Sequence, residues 1–223
     1  MPAHRIPRQS DPMAATHWFA EAAGRALLAS EAACVADALR QRIGPSALWL
    51  APLASAPVAT EDPGVVVRLH PETAGFDGTL RCTLPLPLVS EGCAVVVVQH
   101  VLDLPAVPAS ELLEDCVRVL APGGWLWLLS LNPLSPYRWR WRGSGLRARE
   151  PIGWRRQLRA AGLTPDSISQ GLGPVWAVTA AAGEQEGAGL RAGYLLRAQK
   201  RVRPLTPARP QRAIVGWQAS PSA

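Results

Sequence analysis

The segment Cys93–Val98 reads CAVVVV, six residues with no polar alternation. A strand that is apolar on both faces must be covered on both, which places it inside a parallel sheet flanked by helices. Similar short runs lie on either side, bounded by Pro and Gly: Ala47–Leu50, Val65–Leu69, a weaker Leu80–Leu84, Gly124–Ser130, and later Leu163–Ser169 and Gly193–Ala198. Between Val98 and Gly124, Leu112, Leu113, Cys116, Val117 and Leu120 form one helical stripe. Glu111, Glu114 and Asp115 occupy its opening turns, where negative charge opposes the helix dipole favourably. Pro122-Gly123-Gly124 ends it. Strand, helix and strand at this length predict a βαβ unit. The expected fold class is α/β: a doubly wound, mostly parallel, Rossmann-like sheet with N-terminal helices.

From Met13 to about Ile43 apolar residues recur at helical spacing, with Ser30 read as an N-cap, Glu31 in a first turn and Gly44-Pro45 as the stop. A further helix is expected over about Ile152–Ala161. The 19 Gly and 22 Pro suit loops and a mobile end, while 48% hydrophobic residues in 223 suit one domain with a real core. The expected organisation is a flexible 1–13, a domain over 14–200 with an Arg/Trp-rich insertion at about 134–156, and a basic, Pro-rich, disordered tail over 201–223. No apolar run approaches a membrane span. Cys34, Cys82, Cys93 and Cys116 lack zinc-ligand spacing, so no metal is expected and they read as buried thiols of a cytoplasmic protein.

In an open α/β sheet the ligand crevice lies at the carboxyl ends of the strands. Here those ends carry Ala51-Pro52-Leu53-Ala54-Ser55, His70-Pro71-Glu72, Pro85-Leu86-Pro87, Gln99-His100 and Leu131-Asn132-Pro133. Residues 79–133 resemble the class I S-adenosylmethionine-dependent methyltransferases of the type-11 group. The resemblance rests on Leu84-Pro85-Leu86, His100-Val101-Leu102-Asp103 and Arg118-Val119-Leu120-Ala121-Pro122-Gly123-Gly124 at the family's spacing. The LNPLSPYRW segment and the C-terminal RVRPLTPARPQR are similar to its YafS-like subgroup.

The resemblance implies S-adenosylmethionine over the strand ends, near Leu50, Ala51, Leu53, Arg68, His70, Leu84 and Gln99, and an unidentified methyl acceptor. It also implies His100 as a base; the alternative is that His100 caps its strand end, since the sequence identifies no acid partner for it. The donor motif is degenerate. The loop after the first strand, APLASAP, has no glycine, although glycine there lets backbone approach the donor closely. Arg68 and His70 stand where an acid would accept the ribose hydroxyls, and Ala94 where the family has an acid. Each unmet hydrogen bond costs about 1–3 kcal/mol. Asn132-Pro133 reads as a turn.

Between Arg138 and Arg159 there are eight arginines and one acid, Glu150. Tyr137, Trp139, Trp141 and Trp154 interleave with them, so Tyr137, Arg138, Trp139, Arg140 and Trp141, with Asn132, are candidate substrate or surface residues. Arginines on phosphates with indoles on bases suit single-stranded nucleic acid. Indoles at headgroup level suit an anionic membrane. A cationic lid over the crevice and a merely solvated loop also fit. Two functions follow: a methyltransferase with an atypical cofactor site, or a non-catalytic module of methyltransferase descent that binds through its Arg/Trp surface.

Overall fold

A computed structural model describes residues 13–41, 46–58 and 66–201. The expected 1–13 tail, apart from Met13, and the 201–223 tail, apart from Arg201, lie outside the described residues. The N-terminal helical pattern is two helices, α1 (Ala14–Ala20) and α2 (Ala22–Arg40), separated at Glu21 by extended backbone (φ −76°, ψ 167°). They cross so closely that a Cβ on Gly24 would lie 2.3 Å from the Trp18 carbonyl oxygen. Ser30 is therefore inside α2 rather than at an N-cap. Its hydroxyl donates to the Ala26 carbonyl (2.7 Å) and accepts from the Ala181 amide (2.9 Å).

The sheet contains β1 (Ala47–Leu50), β2 (Val66–Glu72), β3 (Gly75–Gly78), β4 (Cys93–Gln99), β5 (Leu120–Leu131), β6 (Leu163–Pro165), β7 (Gln170–Leu172), β8 (Gln185–Glu186) and β9 (Gly193–Lys200). Their order is β3-β2-β1-β4-β5-β9-β7-β8, with β6 also on β9. β2, β1, β4 and β5 are parallel; β9 runs antiparallel to β5. The fold class is thus the one expected, with corrections at its edges. Leu80–Leu84 is not a strand: its place at the edge is taken by the β2–β3 hairpin, and only Cys82 bridges back, to Phe76. Pro71 is tolerated near the end of β2, beyond the residues that pair with β1, where a missing amide donor breaks no ladder in the parallel core. Pro122-Gly123-Gly124 belongs to β5, where the register against β4 shifts between Cys93 and Val95. Leu163–Ser169 divides into β6 and the approach to β7.

α3 (Ala109–Val119) and α4 (Pro151–Ala160) cover one face of the sheet, and α1 and α2 the other. Alternation along β4 decides the split. Val95 and Val97 pack with Phe19, Leu27, Val35 and Trp127, whereas Val96 and Val98 pack with Leu112, Cys116, Leu128 and Trp154. Burying such a side chain contributes about 1.5–3 kcal/mol. Cys34, Cys93 and Cys116 are buried free thiols and Cys82 is half-buried. Among the described residues there is no cluster of metal-ligating side chains, and no helix is long and apolar enough to cross a membrane.

Candidate functional site

The strand order reverses between β1 and β4, so Leu50–Ala51 and Gln99–His100 flank the switch point. This place is filled by side chains. His100 adopts a left-handed backbone (φ 55°), uncommon for a residue with a side chain, which turns the chain sharply at the strand end. Its Nε2 lies 2.9 and 3.0 Å from the two carboxylate oxygens of Glu31 on α2. Its Nδ1 lies 3.0 Å from Oδ2 of Asp103, in a 3-10 turn over Val101–Asp103. Gln99 Nε2 donates to Glu31 Oε2 (2.9 Å). Asp103 also accepts from the Ser130 hydroxyl (2.6 Å) and the Leu131 amide (2.9 Å), and Trp154 Nε1 donates to Ser130 (3.3 Å). The Phe19 ring stacks on the imidazole at 5.2 Å. Glu31, Gln99, His100, Asp103 and Ser130 are all 0% exposed.

Burial would push the imidazole down, but the Glu31 and Asp103 carboxylates outweigh it and hold His100 at about 10. Burial raises Asp103 above the usual carboxylate range, against the hydrogen bonds from His100, Ser130 and Leu131. His100 is accordingly an imidazolium at neutral pH, with both nitrogens committed. The expectation that it has no acid partner is corrected: it has two. Glu31 is legible in hindsight, four residues from Leu27 and from Val35 on the buried stripe of α2, and Asp103 follows His100 by one turn.

The loop after β1 is closed in another way. Arg68 on β2 stands in register with Trp49, its guanidinium 4.2 Å from the indole centroid. Its Nη2 donates to the carbonyls of Ala56 (2.6 Å) and Leu53 (3.4 Å), and the Ala51 amide donates to Leu69. Leu50 and Ala51 are buried and Leu53 half-buried. His70 pairs in register with Asp77 at the edge hairpin. Leu84 instead lines an open cleft of about 320 Å³ with Thr16, Glu72, Phe76, Leu104 and Val107. Its loop is anchored from α3 by Asp115, which accepts from the Leu86 amide, and Arg118, which donates to the Leu86 and Leu88 carbonyls.

The Arg/Trp segment begins where β5 ends. Asn132 Nδ2 faces the carbonyls of Gly189 and Arg191 (3.0 Å each), and its Oδ1 accepts from the Leu134 amide. Ser135 donates to the Leu190 carbonyl (2.8 Å). Tyr137 is buried and donates to the Ala23 carbonyl; Trp141 is buried edge-on against Trp18, which donates to the Arg140 carbonyl. Trp154 is buried under the sheet. Of the four aromatic residues only Trp139 is exposed, at 59%, with the Arg142 and Arg138 guanidinium groups 4.8 and 5.8 Å from its ring centroid.

Solved proteins share this overall fold. A SAM-dependent methyltransferase from Thermotoga maritima matches with a TM-score of 0.56 at 14% identity, over 84% of this chain and 99% of that one. One from Archaeoglobus fulgidus matches with 0.55 at 13%, over 75% and 93%, and one from Aquifex aeolicus with 0.54 at 12%, over 85% and 98%. The chain has the fold of the class I SAM-dependent methyltransferases. No family model matches the chain, and no curated protein matches its sequence. Within the methyltransferase fold, Glu31 bonds to Gln99 and His100, and His100 to Asp103, while Gln99 Oε1 is buried without a partner among the described residues.

Proposed function

We propose that this chain is a non-catalytic module of the methyltransferase fold, which works by binding rather than by methyl transfer. The observation that carries this reading is the buried Glu31–His100–Asp103 array. A general base needs an open proton site within reach of its substrate. The His100 ring nitrogens both face carboxylates, no surface of the ring is exposed, and the ring is already protonated. S-adenosylmethionine does not fit the remaining groups at the switch point. The β1 loop presents no glycine, its Leu53 and Ala56 carbonyls are taken by Arg68, and Gln99 and Glu31 bond to each other. The switch point therefore offers neither a seat for the donor nor a free base.

A second reading, an S-adenosylmethionine-dependent methyltransferase with a displaced donor site and an unidentified acceptor, is favoured by the 320 Å³ cleft. That volume lies at the lower end of small-ligand pockets, and Glu72, the one acid in its lining, is exposed to receive hydroxyls. Calorimetry of the full chain with S-adenosylmethionine separates the two. Absence of heat and of thermal shift at millimolar ligand is the expected result. Micromolar binding that Glu72→Ala abolishes would establish the second reading instead.

A further inference from the structure

The end of the sheet that carries Asn132 also carries four of the large apolar side chains left in solvent. Leu134 is 64% exposed, Trp139 59%, Trp176 68% and Leu190 56%. Their common location follows from the register. Leu131 at the end of β5 and Leu172 at the end of β7 both pair with Gly193 at the start of β9. The loops leaving β5 and β7 and the loop entering β9 therefore meet at one rim. Ser135 and Asn132 fasten the first loop to the 189–191 backbone, and the Arg191 guanidinium donates to Gly173 (2.9 Å). Arg138, Arg140, Arg142 and Arg147 are exposed on the same segment, and among the described residues none of them forms an ion pair. A cleft of about 540 Å³ is lined by Arg138, Trp139, Trp141, Arg142 and Leu146.

We infer that this rim docks on the surface of an anionic lipid bilayer, with Leu134, Trp139 and Leu190 entering the headgroup region and the arginines meeting lipid phosphates. Charge complementarity selects an anionic partner, because unpaired guanidinium groups next to a polyanionic surface gain attraction without breaking internal pairs. The apolar members decide which anion. Single-stranded nucleic acid is held by successive exposed aromatic faces. Here Tyr137, Trp141 and Trp154 are buried, and the two exposed indoles among the described residues sit on different loops, Trp139 with guanidinium groups beside it and Trp176 after β7, so they offer no run of successive faces. Exposed leucines have no partner on a phosphodiester chain. At a bilayer, leucine and tryptophan on one rim ringed by arginine are the elements of interfacial binding. This inference rests on the non-catalytic reading only in making the rim the working surface, and its test does not involve a methyl donor.

The test is co-sedimentation of the full chain with phosphatidylcholine vesicles, with mixed phosphatidylcholine–phosphatidylglycerol vesicles, and with a single-stranded oligonucleotide in a parallel retention assay, each at low and high salt. Retention on the anionic vesicles alone is expected, weakened by salt. Leu134→Ser and Leu190→Ser each leave the circular dichroism spectrum unchanged and reduce vesicle affinity on the order of tenfold, because each removes apolar area from the inserted face. Arg138→Gln with Arg142→Gln removes the dependence on phosphatidylglycerol. Three outcomes would overturn the inference: no retention on anionic vesicles, retention indifferent to both leucine substitutions, or tighter retention on the oligonucleotide than on the vesicles at the same salt.

Discussion

Nε2 of His100 lies 2.9 Å from Oε1 of Glu31, and neither side chain has any exposed surface. The contact joins residues 69 positions apart and fastens the N-terminal helix α2 to the end of the central strand β4. A buried pair of this kind gains little over an apolar replacement of the same shape, but becomes costly when one member is removed. It therefore acts as a latch that defines where α2 sits.

Removing Glu31 leaves the imidazolium facing only Asp103, and leaves the Gln99 amide without its acceptor. Glu31→Ala is expected to lower unfolding free energy by about 3–5 kcal/mol. Glu31→Gln, which keeps one acceptor oxygen, is expected to cost less. Urea denaturation at neutral pH measures both, and a Glu31→Gln variant as stable as the parent chain would show that the carboxylate charge is not what the site requires.

The same array makes stability depend on pH with a defined sign. His100 is raised from its ordinary value near 6.5 to about 10 in the folded chain. The folded state therefore holds a proton that the unfolded state releases between those values. The contribution is complete below about pH 6.5 and is lost as pH rises toward 10. Burial also raises the thiols of Cys34 and Cys116, which adds loss in the same direction above their ordinary value near 9. Those thiols do not titrate below about pH 8, so the loss there belongs to the coupled His100–Asp103 pair, whose carboxyl burial also raises. The measurement is an NMR titration: the His100 ring carbons keep the imidazolium pattern through about pH 8.5, while a midpoint near 6.5 would remove the charged latch.

The centre of the sheet was legible because its cause is local. An all-apolar run such as Cys93–Val98 has no stable home except between two covered faces, and the PGG after α3 marks a return into the sheet. Strand direction is not local. Nothing in Gly193–Lys200 distinguishes a strand running antiparallel to β5 from a parallel one. The edge hairpin was hidden for a different reason, since Pro71 and Glu72 look like loop residues until the strand is known to lie near an edge. Glu31 was visible as a residue but not as a partner. Its acceptor role needs His100, which the chain brings to it only after α2 has packed on β4. The break at Glu21 depends likewise on a close helix crossing, for which Gly24 was the unread signal.

Gly24 tests that crossing. A Cβ there would meet the Trp18 carbonyl oxygen at 2.3 Å and the Phe19 Cα at 2.4 Å, both backbone atoms that cannot swing aside. Gly24→Ala is ordinarily favourable in a helix by roughly 1 kcal/mol. Here it is expected to destabilise by about 1–3 kcal/mol, because α1 must move off α2. The shift carries Phe19 away from the His100 ring, so the His100 resonances should move together with the thermal midpoint. A stabilised Gly24→Ala variant would mean that α1 does not pack as described.

Arg68 tests the closure of the β1 loop. Its guanidinium joins the Trp49 face to the carbonyls of Leu53 and Ala56 from a half-buried position. Arg68→Met keeps the aliphatic stem and loses the donors, and about 1–2 kcal/mol of stability should go with them. Hydrogen exchange at the amides of residues 51–58 should quicken more than in β4 or β5. Uniform change across the sheet would assign Arg68 a general packing role rather than a loop-closing one.

Asn132 bears the most on the rim, because one side chain sets the spacing of two loops. Its Nδ2 reaches the Gly189 and Arg191 carbonyls, and its Oδ1 holds the Leu134 amide, so Leu134 and Leu190 are kept on the same side by a fully buried amide. Asn132→Ala removes the donor shared by the Gly189 and Arg191 carbonyls, at a cost of about 1 kcal/mol. Asn132→Asp keeps the acceptor but turns the other oxygen toward carbonyls, which repels them, so it should be no milder. Limited proteolysis within 187–191 should accelerate in both variants while protection of β4 and β5 amides persists. Vesicle affinity should fall although Leu134, Leu190 and every arginine remain, because an interfacial face binds as a preorganised set. Unchanged affinity in a variant with a loosened 187–191 loop would show that Leu134 and Leu190 do not work as a unit.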